Sequence, residues 1–389
     1  MQIRSKLPGV GTSIFTIMSK IALDYKAINL GQGFPDFNAD PELLALVSKA
    51  MEEGHNQYPY MPGIAPLREF ISEKIRSLYD HEYDPNHEIT ITSGATQAIM
   101  ASLLASVGKG DEVIVIEPCY DSYLPSILLS GASPIRIQME APTEQQPRFW
   151  IDWQKVKDAI TAKTRLIMLN TPHNPTGSVL SSRDLDALED IVLKSEVMLL
   201  SDEVYEHIVF DGQPHLSLAS RPALAARSFV ISSFGKTTHT TGWKVGYCCA
   251  PKDMTIELRK VHQFMVFTVA SPFQHALAAY SRKPETYLNL PGFYQQKRDQ
   301  LADGLAQTRF RALPCPGTYF MLADYSQISD LPESEFSIWM AREHGVVVIP
   351  VSAFYAKPDD KIANNSIVRF CFAKKEQTIQ AAIERLRRV

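Results

Sequence analysis

Six short segments of this chain are nearly continuous in apolar residues: 89–92, 112–116, 166–169, 197–200, 229–232 and 245–250. A strand that is apolar at successive positions has no face to offer water, so both its faces must be covered. Helical patterns such as 97–107 and 185–194 lie between these segments. The alternation predicts an α/β layer architecture around a mostly parallel sheet. After about Lys283 the texture changes. A polar helix pattern over 293–307 is followed by Pro314-Cys315-Pro316-Gly317 and a strand candidate at 319–323. A helix (335–343), strands near 346–349 and 367–372, and a last helix (377–388) complete a smaller α+β domain. The Gly- and Pro-punctuated start reads as an arm. The expected division is 1–40 as an arm contributing to the small domain, 41–285 as the large domain, and 286–389 as the small one.

With 389 residues, 45% of them hydrophobic and 21% charged, the chain can bury a core of that size. A net charge of -4 provides no broad basic field, so neither nucleic acid nor an anionic membrane surface is an expected partner. A local basic pocket for one small anion is compatible with that balance. The five cysteines are odd in number, scattered and free of any CxxC pair. Neither a disulfide framework nor a metal site is expected, and a reducing, cytoplasmic setting fits better. Pro8, Gly9 and Gly11 interrupt any signal-peptide core after Arg4 and Lys6. No apolar run approaches the roughly 18 residues of a membrane span.

Several strand ends carry residues suited to chemistry. Ser232-Ser233-Phe234-Gly235-Lys236-Thr237 follows an apolar strand directly. A lysine there can be desolvated, which lowers its pKa and frees the amine for Schiff-base chemistry. A surface lysine in a polar loop is the alternative for a lone Ser-x-Gly-Lys. The motif runs on, however, through Thr241-Gly242-Trp243-Lys244-Val245-Gly246, and two lysines with several hydroxyls can hold both an aldehyde and a phosphate. Asp202 closes another apolar strand, facing the crevice where open α/β sheets bind ligands. It suits a protonated ring nitrogen, or equally a helix cap. Asn174 lies between two prolines in Asn170-Thr171-Pro172-His173-Asn174-Pro175, where turn formation alone is a sufficient reason for it; His173 reads as support for that turn. Ser93-Gly94-Ala95-Thr96 joins a strand to a helix whose N-terminal N–H groups can meet an anion. Arg369, inside an apolar strand, needs either a structural carboxylate or a substrate one.

Taken in order, Asn-Pro-x-Gly, Asp-x-x-Tyr, Ser-x-x-Lys with a lysine eight residues later, and a late arginine resemble the fold-type I pyridoxal-phosphate enzymes, specifically class I aminotransferases. Residues 29–37 (Asn-Leu-Gly-Gln-Gly-Phe-Pro-Asp-Phe), Asn56-Gln57-Tyr58 and Glu117–Tyr123 narrow the resemblance to the methionine, kynurenine and glutamine aminotransferase group. The resemblance implies a large domain with a seven-stranded, mostly parallel sheet between helices. It also implies pyridoxal 5'-phosphate as cofactor, an amino acid and a 2-oxo acid as substrates, and a homodimer. Lys236 would hold the cofactor covalently and shuttle the Cα proton. Asp202 would pair with the ring nitrogen, Tyr205 and Asn174 with the phenolic oxygen, and Tyr120 would stack on the ring. Ala95, Thr96, Ser233 and Lys244 would hold the phosphate, with Tyr58 reaching the phosphate of the partner's site. Gly33, Asn174 and Arg369 would orient the substrate carboxylate, and Phe15 would line the side-chain pocket.

Ala95-Thr96 departs from the Gly-Gly or Gly-Tyr of some relatives, which leaves backbone donation to the phosphate intact. No second arginine for a dicarboxylic substrate is found. The expected function is therefore transamination of a large uncharged amino acid. A β-lyase of cysteine conjugates or cystathionine is the alternative on the same fold. A non-catalytic pyridoxal-binding regulator is a remote third.

Overall fold

The computed structural model describes residues 4–358 and 363–389. Its strands, in chain order, are β1 (Ile28–Asn29), β2 (Ile89–Thr92), β3 (Glu112–Glu117), β4 (Ser133–Gln138), β5 (Thr164–Asn170), β6 (Met198–Asp202) and β7 (Ser228–Ser233). They continue with β8 (Gly246–Cys249), β9 (Arg311–Ala312), β10 (Phe320–Asp324), β11 (Val346–Val347), β12 (Ile349–Pro350) and β13 (Ile367–Cys371). Seven of them form one sheet in the order β2-β8-β7-β6-β5-β3-β4. All run parallel except β8, which is antiparallel to both of its neighbours. The mostly parallel α/β reading holds.

Both sheet faces are covered, which accounts for the apolar runs. Ile114, Ile167, Leu199 and Val230 enter one core, while Val113, Leu166, Leu200 and Phe229 enter another. Adjacent residues thus serve opposite faces, as strand geometry requires. The sequence reading missed β4. It is an edge strand, parallel to β3 alone, and Ser-Pro-Ile-Arg-Ile-Gln alternates polar with apolar residues along a half-covered face.

A second, four-stranded antiparallel sheet has the order β12-β13-β10-β9 and its own core, which includes Phe320, Phe336, Val368 and Phe370. The single strand expected near 346–349 is two short ones. Val346–Val347 pairs with β1, and after Val348 the chain joins β13 instead. Helix Ile14–Asp24, capped by Ser13, packs with helix Glu333–Glu343. The arm is therefore stitched to the second sheet: β1 pairs with β11, and the Cys371 N–H donates to the Leu30 carbonyl at 2.7 Å. This stitching carries residues 31–33 to the mouth of the cleft between the two sheets. Among the described residues no helix is long and apolar enough to cross a membrane, and no cluster of three or more His, Cys, Asp or Glu could hold a metal ion.

Candidate active site

The C-terminal ends of β5, β6 and β7 lie side by side, with Asn170 paired to Asp202 in register and Asp202 to Ile231. A cavity of ≈ 350 Å³ opens above them. This is where parallel sheets bind ligands, because chain ends and helix N-termini converge there.

Asp202 is buried at the cavity floor. The Tyr123 hydroxyl donates to its Oδ2 at 2.6 Å and the Val204 N–H to its Oδ1 at 3.3 Å. Burial pushes its pKa up to about 6, against the pull of those two donors and of Lys236. A carboxylate with so raised a pKa is short of a cation, and a positive group placed on it would be held strongly. Two asparagines link it to the opposite wall. Asn170 Nδ2 donates to the Asp202 carbonyl at 2.8 Å, and the Asn174 N–H donates to Asn170 Oδ1 at 2.7 Å. Asn174 Oδ1 in turn accepts from Arg369 Nη1 at 2.5 Å. His173 is buried and bonded to Thr176 through Nδ1 at 2.7 Å, and burial holds its pKa down to about 4, so it supports the turn as a neutral ring.

Lys236 sits in the short helix Phe234–Thr237 immediately after β7. Because β8 runs antiparallel and Ser233 pairs with Gly246, both ends of the lysine loop are pinned to the sheet. Burial lowers the Lys236 pKa to about 8, with Cys371 and Asp202 opposing. Its Nζ donates to the Tyr319 hydroxyl at 3.0 Å and lies 5.6 Å from the ring centroid of Tyr205. Near pH 7 such an amine has an appreciable neutral fraction, as a nucleophile requires.

An anion cradle closes the far end. Helix Gly94–Ser106 begins there with the N–H groups of Ala95 and Thr96, beside Ser233 and Lys244. Lys244 Nζ reaches Thr96 Oγ1 at 3.5 Å. Gly246 permits this approach, since a Cβ there would lie 2.8 Å from the Ala95 nitrogen. Helix N-terminus, hydroxyl and ammonium together suit a phosphate.

Arg369, only 1% exposed, lies in β13 between Leu322 and Ile349. Its polar partners are Asn174 Oδ1 and, at 3.0 Å from Nη2, the Gly31 carbonyl. Among the described residues no carboxylate forms an ion pair with it, and its Nε has no partner. The Phe320 ring lies 3.8 Å from the guanidinium and the Phe354 ring 4.8 Å. Burial lowers its pKa to about 10. Asp121 acts on Arg369 only through space, and a buried cation with no carboxylate in contact costs several kcal/mol, so the pocket beside it suits an anion.

All the candidate residues except Tyr58 line this one cavity, Phe15, Gly33 and Tyr120 included. Tyr58 stands outside it, 81% exposed and edge-on to Phe267. Sequence reasoning assigned no role to Tyr123, the partner of Asp202, or to Tyr319, the partner of Lys236. Tyr123 opens the helix Tyr123–Ser130 three residues after Tyr120, its ring edge-on to that of Tyr120 at 5.7 Å, and the Tyr-x-x-Tyr spacing was its available signal. Tyr319 offered none beyond its place in an aromatic strand.

Behind the sheet, Glu206 accepts hydrogen bonds from Lys74 (2.7 Å), Ser232 (2.6 Å), Tyr247 (2.8 Å) and Tyr79 (2.7 Å). Burial alone would raise its pKa, but Lys74 beside it pulls it well below the carboxylate range. This closed network ties the residue after Tyr205 to the strands that flank the lysine loop.

Residues 25–386 match the family model described as aminotransferase class I and II. The crystal structure of YbdL from Escherichia coli, identified with a methionine aminotransferase function, is 47% identical, covers all of both chains and superposes with a TM-score of 0.96. The N-succinyldiaminopimelate aminotransferase of Mycobacterium tuberculosis is 38% identical over 99% of each chain, with a TM-score of 0.94. Kynurenine–oxoglutarate transaminase 1 of Rattus norvegicus is 33% identical over 98% of this chain and 97% of its own.

Proposed function

The chain belongs to the aminotransferases of classes I and II, and from that premise we propose that it transfers the amino group of a large uncharged amino acid, methionine foremost, to a 2-oxo acid at the cavity around Lys236. Enzymes of this family depend on pyridoxal phosphate and exchange amino groups between small amino and oxo acids. The donor set fits that cofactor: an anion cradle at Ala95, Thr96, Ser233 and Lys244, a carboxylate short of a cation at Asp202, and a desolvated amine at Lys236. When bound, the cofactor supplies an aldehyde that links to amines and a cationic ring that draws electron density from the substrate's Cα.

The chain's own residues do the rest. Asp202 would hold the proton on the ring nitrogen, with the Tyr123 hydroxyl keeping that carboxylate aimed. Lys236 as a neutral amine would take the proton from the substrate's Cα and return it to the carbon on the other side of the amino nitrogen. Tyr205 and Asn174 would hold the phenolic oxygen, and Tyr120 would cover the ring. Arg369, with Gly33 and Asn174 beside it, takes the substrate carboxylate; its unpartnered Nε and its lack of a carboxylate in contact are the observation that carries this assignment. Arg369→Lys should weaken amino and oxo acids alike by about ten- to hundredfold, since lysine keeps the charge but loses the planar fork. Unchanged Michaelis constants for both substrates would contradict the assignment.

The cations lining the cavity are Lys236, Lys244 and Arg369, each occupied by one of these roles. No further cation lines it among the described residues, so an acidic side chain would enter unpaired among Phe15, Phe34 and Tyr120. Such a wall suits methionine, phenylalanine, kynurenine or glutamine. It separates them weakly, each methylene being worth about 1–3 kcal/mol. Specificity constants measured with one common oxo acid test this: methionine and phenylalanine should exceed aspartate, and the reverse order would overturn the substrate reading.

The same proposal includes a homodimer. Tyr58 stands near Tyr60, and Phe267 near Phe264, which is 87% exposed; lone chains rarely leave such aromatic surface bare. A two-fold partner would cover it and bring Tyr58 to the partner's phosphate cradle. A single-chain mass in solution would remove this part. The division into an arm (1–40), a large domain (41–285) and a small one (286–389) accords with the pairing of β1 to β11. Five buried free cysteines suit a reducing, cytoplasmic setting.

A further inference from the structure

Tyr319 stands at a junction that the activity proposed above leaves unexplained. It lies just before β10, wholly buried, and its hydroxyl makes two hydrogen bonds that differ in kind. It lies 2.7 Å from the Gly33 carbonyl, which can only accept, so the tyrosine proton is committed there. The tyrosine oxygen is then left to accept, and Lys236 Nζ lies 3.0 Å from it. A neutral amine has two N–H bonds and one lone pair. With an N–H directed to Tyr319, the lone pair is free to face the cavity and not the protein wall. The Tyr205 ring, edge-on to Tyr319 at 5.2 Å between centroids, narrows the space in which the lysine end can turn.

The next residue, Phe320, links this junction to the arginine. Phe320 stacks on the Arg369 guanidinium, and Arg369 donates to the Gly31 carbonyl. The dipeptide Tyr319-Phe320 therefore touches both the proton-moving amine and the carboxylate-binding arginine, and residues 31–33 of the arm receive a hydrogen bond from each side. A Cβ on Gly33 would lie 2.6 Å from Phe320 Cζ, so arm and dipeptide are in close contact.

We propose that Tyr319 is a positioning residue, whose hydroxyl orients the free amine of Lys236 for proton transfer and couples that orientation to the seating of the arm through Gly33. No bond is made or broken at Tyr319. Its proton stays on its oxygen, and the Cα proton travels on Lys236 alone. The inference rests on Lys236 being the cofactor lysine, and the test separates the two.

Tyr319→Phe keeps the ring and removes only the hydroxyl. With the loaded enzyme, kcat for methionine should fall roughly tenfold or more with KM little changed, as loss of one hydrogen bond to an ionisable group predicts. The α-deuterium isotope effect should rise, because proton transfer becomes slower relative to other steps. A second readout needs no turnover. In the cofactor-free full chain, competitive acetylation mapped to Lys236 reports its neutral fraction against pH. Losing an acceptor penalises the ammonium more than the amine, so the midpoint should move down, on the order of half to one pH unit. Tyr319→Met, which removes ring and hydroxyl together, separates packing from hydrogen bonding. If Met is impaired while Phe retains the wild-type isotope effect and acetylation midpoint, the ring alone matters and the proposal falls. Borohydride reduction of the loaded wild type gives the remaining distinction. A label away from Lys236 overturns the lysine assignment, whereas a label on Lys236 with an unaffected Phe variant overturns this inference alone.

Discussion

Lys236→Ala should abolish turnover, with a loss of at least about ten-thousandfold in oxo-acid formation from methionine. The amine is desolvated, its pKa is lowered to about 8, and its Nζ is held at the cavity floor by Tyr319. Among the described residues the other lysine lining the cavity, Lys244, is drawn to Thr96 in the anion cradle and away from this position. The sign of the pH dependence follows from the lowered value. Below about pH 8 the amine is increasingly protonated and cannot attack an aldehyde, so cofactor capture by the cofactor-free chain should accelerate as pH rises through that point and then level off. The alanine variant should show no such step, and stopped-flow absorbance after adding pyridoxal phosphate checks both statements. Capture by the alanine variant at the wild-type rate, or retained turnover, would contradict the role.

Asp202→Asn should retain cofactor yet lose at least about a hundredfold in kcat, comparable to deleting one donor aimed at developing charge. The substitution is nearly isosteric and leaves the Tyr123 hydroxyl a carbonyl oxygen to meet. It removes the charge that keeps a proton on the ring nitrogen. Burial has raised this carboxyl to about 6 in the chain alone, so at pH 7 it is mostly ionised and poised for a cation. As pH falls through about 6 the cofactor-free chain loses that charge, and cofactor affinity should weaken there in the wild type but not in the variant. The check is a pair of binding titrations at pH 5.5 and 7.5 alongside single-turnover rates. A variant with a near wild-type rate would remove Asp202 from the chemistry.

What could be read from the sequence divides along physical lines. The strands that carry Asn170, Asp202 and Ser233 were legible because they are buried on both faces, and burial on both faces leaves an unbroken apolar run. Their functional ends were legible because a polar residue straight after such a run has few places to go except the crevice. β4 escaped because one half-covered edge strand looks much like a loop in composition. The split between β11 and β12 escaped because a change of sheet partner at Val348 alters no residue type. Arg369 was visible as a charge in an apolar strand, but whether its partner was a carboxylate or a void could be decided only by tertiary packing. Tyr319 was hidden for a related reason: its two hydrogen bonds reach 83 and 286 residues along the chain, distances over which periodicity has no signal.

Every role assigned here starts from covalent attachment of the cofactor at one lysine, and that attachment can be observed directly. Borohydride reduction of the pyridoxal-phosphate-loaded enzyme, proteolysis and peptide mapping should place the pyridoxyl label on Lys236, within Ser233-Phe234-Gly235-Lys236-Thr237. A label on Lys244, or on any lysine outside the cavity, would contradict the account.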